Sequence, residues 1–371
     1  MPSQDVLAWG QYFYDRSRAN IPGTDHALYR MTDLIKRGAL DPVKARSVLH
    51  DSLLMDMVWE VTWADDDGLP DPYLPTRFHD CDGYVVFMHG WTGNHSVWED
   101  MPAIIVRANP RLIAISVDHN GFGESRFVVE TPGLDQCCPP SAMSAVERLV
   151  NVLGVRRQPG ETRRKVVNFV GHSMGGAALF YLNPMLYDVG EETRYAFAPA
   201  LLLNDSVHRV FFNAMGLGIG IVDKLRIFTP IEDLIQPRMV EAVCEGSSTF
   251  VKDVHTRQYD ETPRGTTSAT FRAMGLLQNW EIAHRWDTFR VMLGHKDSLV
   301  GLTPMMDMLS ELEVPAGHIR VVAGSHYMFS VGHDTVFQHA QNRDLAVQEI
   351  LNLHEMALDM QKTGKGSRGF G

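Results

Sequence analysis

The sequence predicts an α/β fold. It calls for a mostly parallel central sheet with helices on both faces, a helical cap and a helical N-terminal extension. Three observations carry that prediction. Short apolar runs recur along the chain and stop at polar or glycine-rich turns. Helical segments lie between most of them. One long interval, residues 206–285, holds no convincing buried strand. A strand covered on both faces reads as a continuous apolar run, and strand alternating with helix implies βαβ units.

Residues 1–50 are predicted to be helical. "DVLAWGQYFYDRSR" and "DHALYRMTDLIKRG" space their apolar residues near the helical period, and the second ends on Gly38 as a C-cap. "DPVKARSVLHDSLL" opens with Asp41 as N-cap and Pro42 in the first turn. These helices could cover a site, dimerise the chain or pack on its core. Their aromatic residues call for burial, which places them near the cap.

The pattern then changes to strands. "MVWEVTWA" (57–64) is rich in strand-favouring residues, and "DDDGLPDPYLP" is a loop. "GYVVFMHG" (83–90), "RLIAISVDHNG" (111–121), "KVVNFVGHS" (165–173), "PALLLNDS" (199–206), "TFRVMLGHKDS" (288–298) and "HIRVVAGSH" (318–326) are the buried strands. "SAMSAVERLVNVLG" is one of the helices between them. The predicted core is therefore 51–205 with 286–360, interrupted by a helical cap at 206–285. The glycine-rich basic tail at 361–371 is predicted to be flexible.

Bulk properties exclude several classes of function. The 371 residues carry a formal net charge of −11, which argues against a nucleic-acid or anionic-membrane surface as main partner. The densest basic stretch, "RRQPGETRRK" (156–165), reads as a solvated loop. Four cysteines without a C-x-x-C suggest neither a zinc site nor a disulfide framework, and free thiols fit a reducing compartment. No apolar run approaches the ~18 residues that span a bilayer, and the N-terminus lacks a signal-peptide pattern. A cytoplasmic protein is the expectation.

Sites on an open parallel sheet form beyond the carboxyl ends of its strands. The residues there are His89-Gly90-Trp91, Asp118, Ser173, Asp205, Asp297 and His326. Serine needs a base to take its proton, and the base needs an acid to fix its tautomer. All three residue types stand on this edge. Ser173 lies in "NFVGHSMGGAALF", between Gly171 and Gly175. A strand turning sharply into a helix strains the intervening residue, and side chains two positions either side would crowd it. The helix that follows aims its N–H groups at developing negative charge. Met174 is then one oxyanion donor, and Trp91, in the loop after "VVFMHG", is the candidate second.

"GHSMGG", "HGWTGN", "VDHNGFGESR", "GHKDSLV" and "VVAGSH" resemble the successive signatures of the α/β-hydrolase superfamily, in particular its capped, esterase- and lipase-like serine hydrolases. The likeness runs from about residue 57 to 355, with the cap after the sixth strand and residues 1–50 outside it. The resemblance implies Ser173 as nucleophile, Asp297 as acid and His326 as base, with Trp91 and Met174 as backbone oxyanion donors. It also implies no organic cofactor and no metal. Asp205 is the rival acid, because some members place theirs after the sixth strand, and His333 is the rival base. The usual Gly-x-Gly-His is Gly324-Ser325-His326 here. In the family, the loop holding Asp118 orders the rim of the site. His89 is expected to do the same through a ring hydrogen bond to backbone. His95, His119 and His295 read as lone surface or core histidines.

The expected activity is hydrolysis of a small carboxylic ester bearing an apolar acyl or aromatic group. A lactonase or amidase, a carbon–carbon bond hydrolase and a cofactor-free perhydrolase would use the same residues. A non-catalytic ligand-binding protein is the alternative of a different class. Whether the chain is a homodimer stays open.

Overall fold

The computed structural model describes residues 21–64, 81–154, 165–188, 190–202, 249–279, 282–331 and 337–363, with separate positions between 209 and 244. The strands are β1 (Thr24–Arg30), β2 (Val58–Ala64), β3 (Gly83–Met88), β4 (Leu112–Val117), β5 (Val166–His172), β6 (Glu192–Phe197), β7 (Phe289–Gly294) and β8 (Ile319–Val322). The helices used below are α1 (Met31–Lys36), α2 (Pro42–Asp51), α3 (Met101–Ala108), α4 (Pro139–Val152), α5 (Met174–Ala178), α6 (Thr249–Glu261), α7 (Arg264–Gly275), α8 (Leu302–Glu311) and α9 (Phe337–Thr363).

One sheet runs β1-β2-β4-β3-β5-β6-β7-β8. β1 with β2 and β2 with β4 are antiparallel, and every other pair is parallel. The side-chain period of two divides the core cleanly. Tyr84, Val86, Met88, Ile113, Ile115 and Phe169 face a cluster covered by Met143, Val146 and Leu149 of α4 and Met305 and Leu309 of α8. Val85, Phe87, Ala114, Val170 and Phe197 face the other, covered by Met101, Ile105 and Val106 of α3 and Val347, Ile350 and Leu353 of α9. The result is a helix–sheet–helix sandwich, with strand ends β3, β4, β5, β7 and β8 converging on one edge.

Two predicted elements differ. Residues 25–30 were expected in a helix but form β1, paired residue for residue with β2 from Thr24↔Ala64 to Arg30↔Val58. The open edge of β2 offers a full ladder, and Tyr29 stacks on Trp59 with ring centroids 6.3 Å apart. Tertiary pairing overrides a near-helical spacing. The helical part of the segment shrinks to α1, after which Gly38 turns the chain at φ +70°. α2 forms as expected: the Asp41 carboxylate accepts from Val43 N–H (2.9 Å) and Lys44 N–H (3.1 Å), with Pro42 at the first position.

The sixth strand is Glu192–Phe197 rather than 199–206. Glu192 and Arg194 gave it a polar look, yet both are fully buried. Arg194 Nε lies 3.3 Å from Glu192 Oε2, Arg285 Nε lies 3.5 Å from Oε1, and the Arg194 guanidinium sits 4.8 Å from the Phe289 ring. A buried charge survives when it is paired. Leu201 and Leu202 remain buried beyond the strand.

Between β6 and β7 the described helices are α6 and α7, in the segments expected to be helical there. Most of "VHRVFFNAMGLGIGIVDKLRIF" and "PIEDLIQPRMVEAVCEG" lies outside the described residues, as do residues 1–20, "DDDGLPDPYLP", most of the basic loop and the tail from 364. α9 itself continues to Thr363, three residues into the expected tail. Among the described residues, no helix is long and apolar enough to cross a membrane.

Candidate active site

β5 delivers Ser173, which stands between the strand and α5 at φ 53°, ψ −114°. A positive φ is costly for a non-glycine residue and persists only where the surroundings over-determine it. Here Ser173 N–H donates to Phe197 O (2.9 Å), while its carbonyl accepts from Ala177 N–H (2.8 Å) and Ala200 N–H (2.9 Å). The flanking glycines are steric necessities. A Cβ at Gly171 would collide with the Gly175 carbonyl, and one at Gly175 with the Met88 carbonyl. The loop after β3 also comes close: a Cβ at Gly90 would lie 3.0 Å from Ser173 Cβ.

That loop is built to fix one peptide plane. Gly90 O accepts from the His89 ring Nδ1–H (2.7 Å) and from Gly93 N–H (3.1 Å). His119 N–H donates to His89 Nε2 (3.2 Å), so the His89 proton must sit on Nδ1. In a trans peptide the carbonyl and the following N–H point in opposite directions. Holding Gly90 O therefore turns the Trp91 N–H away from the His89 ring. His119 Nε2–H returns the tie to His89 O (3.1 Å), and the two rings stack at 4.1 Å. Burial pushes His89 down to about 4, which keeps it neutral.

Asp297 and His326 follow β7 and β8. His326 is buried, and its Nδ1–H donates to Asp297 Oδ2 at 2.8 Å. Asp297 Oδ1 accepts from Leu299 N–H (3.0 Å) and Val300 N–H (3.2 Å). Burial alone would raise this carboxyl, but the charge and hydrogen bond of His326 and the two amides outweigh it and hold Asp297 below the usual range. His326 Nε2 is buried and has no hydrogen-bond partner among the described residues. With Nδ1 protonated, that nitrogen offers a lone pair. His172, one residue before the serine, donates Nε2–H to His326 O (3.1 Å), and its ring lies 4.7 Å from that of His326.

The profile of the alpha/beta hydrolase family matches residues 85–345, well over half of the chain. The chain belongs to the alpha/beta hydrolase family. Its fold is similar to that of an esterase from Exiguobacterium antarcticum (TM-score 0.56, 14% identity, covering 80% of this chain and 95% of that one). It is similar also to a bromoperoxidase from Bacillus anthracis (0.56, 16%, 80% and 95%). A thermophilic esterase from Thermogutta terrifontis gives 0.54 at 14% identity, covering 81% and 94%. No curated protein matches the sequence.

In this alpha/beta hydrolase, Asp297 and His326 are brought together, and the Gly90 backbone reaches Ser173. Asp205 and His333 lie outside the described residues. Asp118 belongs to another group: it accepts from His95 N–H (2.7 Å), His95 Nδ1–H (2.8 Å) and Glu124 N–H (2.8 Å). His95 and His119, read as lone histidines, are thus buried members of the rim network. Among the described residues no group of three or more His, Cys, Asp and Glu is placed to hold a metal ion.

Sequence reasoning missed the inner face of α6. His255 packs on Tyr327 with ring centroids 4.2 Å apart, Gln258 donates to Asn94 and Ser96, and Tyr259 meets Trp91 at 5.6 Å. Burial, helped by the charge of His326, lowers His255 to about 3. The signal was there in the spacing 255, 258, 259, one face of a helix. The sequence did not say what that face meets.

Proposed function

We propose that the protein is a serine hydrolase that cleaves carboxylic esters through an acyl-enzyme on Ser173. One observation carries the reading: His326 spends Nδ1 on Asp297 and keeps a buried, unpartnered Nε2 on the edge where Ser173 is held in its strained turn. In this mechanism Nε2 takes the Ser173 proton as Oγ attacks the ester carbonyl. The carbonyl oxygen becomes an oxyanion facing the Trp91 and Met174 N–H groups. Collapse breaks the C–O bond, and His326 returns the proton to the leaving alkoxide. Water, deprotonated by His326, then releases the acid and restores Ser173. Asp297 stays ionised throughout and stabilises the imidazolium. The fixed Gly90–Trp91 peptide supports Trp91 as donor.

The 206–285 insertion is the cap in this reading, with α6 and α7 above the site, and an apolar acyl or aromatic group as its guest. The esterases among the structural neighbours fit the assignment at the level of fold. The test is turnover of p-nitrophenyl esters of graded acyl length by wild type and Ser173→Ala, with fluorophosphonate labelling in parallel. Turnover and labelling that vanish in the mutant support the reading. Turnover that survives the mutation refutes the nucleophile, and a folded wild type that neither turns over esters nor labels refutes the esterase.

A further inference from the structure

Helix α6 presents His255, Gln258 and Tyr259 at i, i+3 and i+4, with His255 and Gln258 each 6% exposed. This face reaches both loops that carry the chemistry proposed above. Gln258 Nε2 donates to Asn94 Oδ1 (3.1 Å) and Ser96 Oγ (3.4 Å). Asn94 Oδ1 also accepts from Ser96 N–H (2.9 Å) and Ser96 Oγ–H (2.6 Å), so Gln258 grips the residue that caps the short turn His95–Trp98. Three residues earlier in the chain, the Trp91 ring is bracketed by Tyr259 (5.6 Å) of α6 and Phe271 (4.2 Å) of α7.

The segment from His89 to Ser96 is thus held from two sides. The sheet side grips it through the stacked His89–His119 pair and through Asp118, which takes both His95 N–H and His95 Nδ1–H. The insertion grips it through the Gln258 amide and the aromatic bracket. A peptide N–H serves an oxyanion only when its direction is fixed before charge develops, because hydrogen-bond strength falls steeply with angle. The sheet side fixes the Gly90 carbonyl. Rotation of the loop about that point is restrained by what holds Trp91 and Asn94.

We propose that Gln258 is a positioning residue: from the inserted helix it locks the Asn94–Ser96 turn, and through it the Trp91 N–H, in the orientation needed at the reaction centre. It touches no reacting atom. The inserted helices then do more than cover the site, since the donor geometry is complete only when α6 is seated. This rests on the esterase reading, but the clamp itself is open to a test that needs no turnover.

The experiment compares wild type, Gln258→Leu, Gln258→Glu and Asp253→Ala, the last on the exposed side of the same helix. Leu keeps the bulk and loses the donor, whereas Glu keeps the shape and places an ionised acceptor against Asn94 Oδ1. For a p-nitrophenyl ester, both Gln258 variants should lose roughly 10- to 100-fold in kcat with KM within about two-fold, less than the ~10²–10³ for deleting a donor outright. Affinity for a trifluoromethyl ketone, whose hemiketal mimics the oxyanion, should fall by the same factor. Amide hydrogen exchange should quicken across residues 89–98, and Asp253→Ala should match wild type in all three.

Unchanged exchange across 89–98 in both Gln258 variants overturns the clamp whatever the activity. Faster exchange with unchanged kcat and inhibitor affinity overturns its role at the oxyanion. A loss confined to KM makes Gln258 a substrate-binding residue instead. Absence of Ser173-dependent turnover in wild type overturns the esterase reading and the catalytic role with it, while hydrogen exchange still decides whether the clamp exists. If Gln258→Leu fails to fold, Gln258→Glu carries the same readings.

Discussion

Among the described residues, two buried histidine–aspartate pairs have the same length. His326 Nδ1 lies 2.8 Å from Asp297 and His95 Nδ1 lies 2.8 Å from Asp118. Both carboxyls are held below their usual range against burial that would raise them, with the partner histidine's charge as the main opposing influence. Distance and ionisation do not tell the pairs apart; what surrounds them does. Asp118 spends both oxygens tying the 95 and 124 segments together through backbone N–H groups. Asp297 takes its backbone bonds from its own turn and leaves His326 Nε2 open beside the elbow. A His–Asp contact marks a strong interaction. In the proposed mechanism the difference lies in the open second nitrogen of His326.

The largest effect expected from that contrast is in Asp297→Asn. It should lower kcat by about 10⁴ through the wrong histidine tautomer, with a melting temperature close to wild type; steady-state kinetics and calorimetry on the same preparation decide. Asp118→Asn should do the reverse. An amide where three donors converge leaves buried groups unsatisfied and should cost about 2–4 kcal/mol in urea unfolding, with kcat per folded molecule falling far less than in Asp297→Asn. If the two variants behave alike, the distinction between the pairs is lost.

Gly175→Ala should rank next. Its Cβ would press on the Met88 carbonyl, a backbone atom that cannot step aside. The expected cost is about 1–3 kcal/mol of stability, with loss of turnover as the elbow shifts. Activity intact at wild-type stability would show that the elbow yields.

The smallest effects sharpen the comparison through pH. Glu60 lies beside the Asp118 pair, where burial chiefly raises it to about 8 from an ordinary 4.5. A raised carboxyl contributes stability that is full below pH 4.5 and is lost as pH rises through about 8. Glu60→Gln should flatten that decline in urea titrations across the window. His89, lowered to about 4 mainly by burial, and His255, lowered to about 3 by burial and then by His326, act in the opposite direction. The unfolded chain binds their protons first, so their stabilisation is present above pH 6.5 and drains away as pH falls toward those values. A stability curve flat from pH 6.5 down to 4 would contradict their neutral burial.

Most of the sheet was legible because a strand buried on both faces has no room for polar residues. β3, β4, β5 and β7 follow that rule closely, whereas β8, expected to be buried, is a half-exposed edge strand carrying Arg320 and was found only by its apolar run ending at a glycine turn. β6 escaped because its charges neutralise one another indoors: Glu192 with Arg194 and Arg285. β1 escaped because only the free edge of β2 makes a strand of it. Ser173, Asp297 and His326 were readable from chain order and strand ends, although the assignment of their roles is a proposal. The contacts of α6 were not readable. A polar residue at Gln258 fits an exposed helix as well as a buried one, and its partner Asn94 is 164 residues away.

The two ends of the sheet are guarded in different ways. β8 is only four residues long, with Arg320 paired to Glu349, whereas β1 is seven residues long and carries Asp25, His26 and Arg30. Short or charged outer strands discourage edge-to-edge stacking of one copy on another. β2, by contrast, is buried throughout and bears two tryptophans. The first strand thus serves as a stopper: with it in place the ladder ends, and a chain trimmed back to Met31 would present β2 as a sticky template for its neighbours, visible as concentration-dependent light scattering.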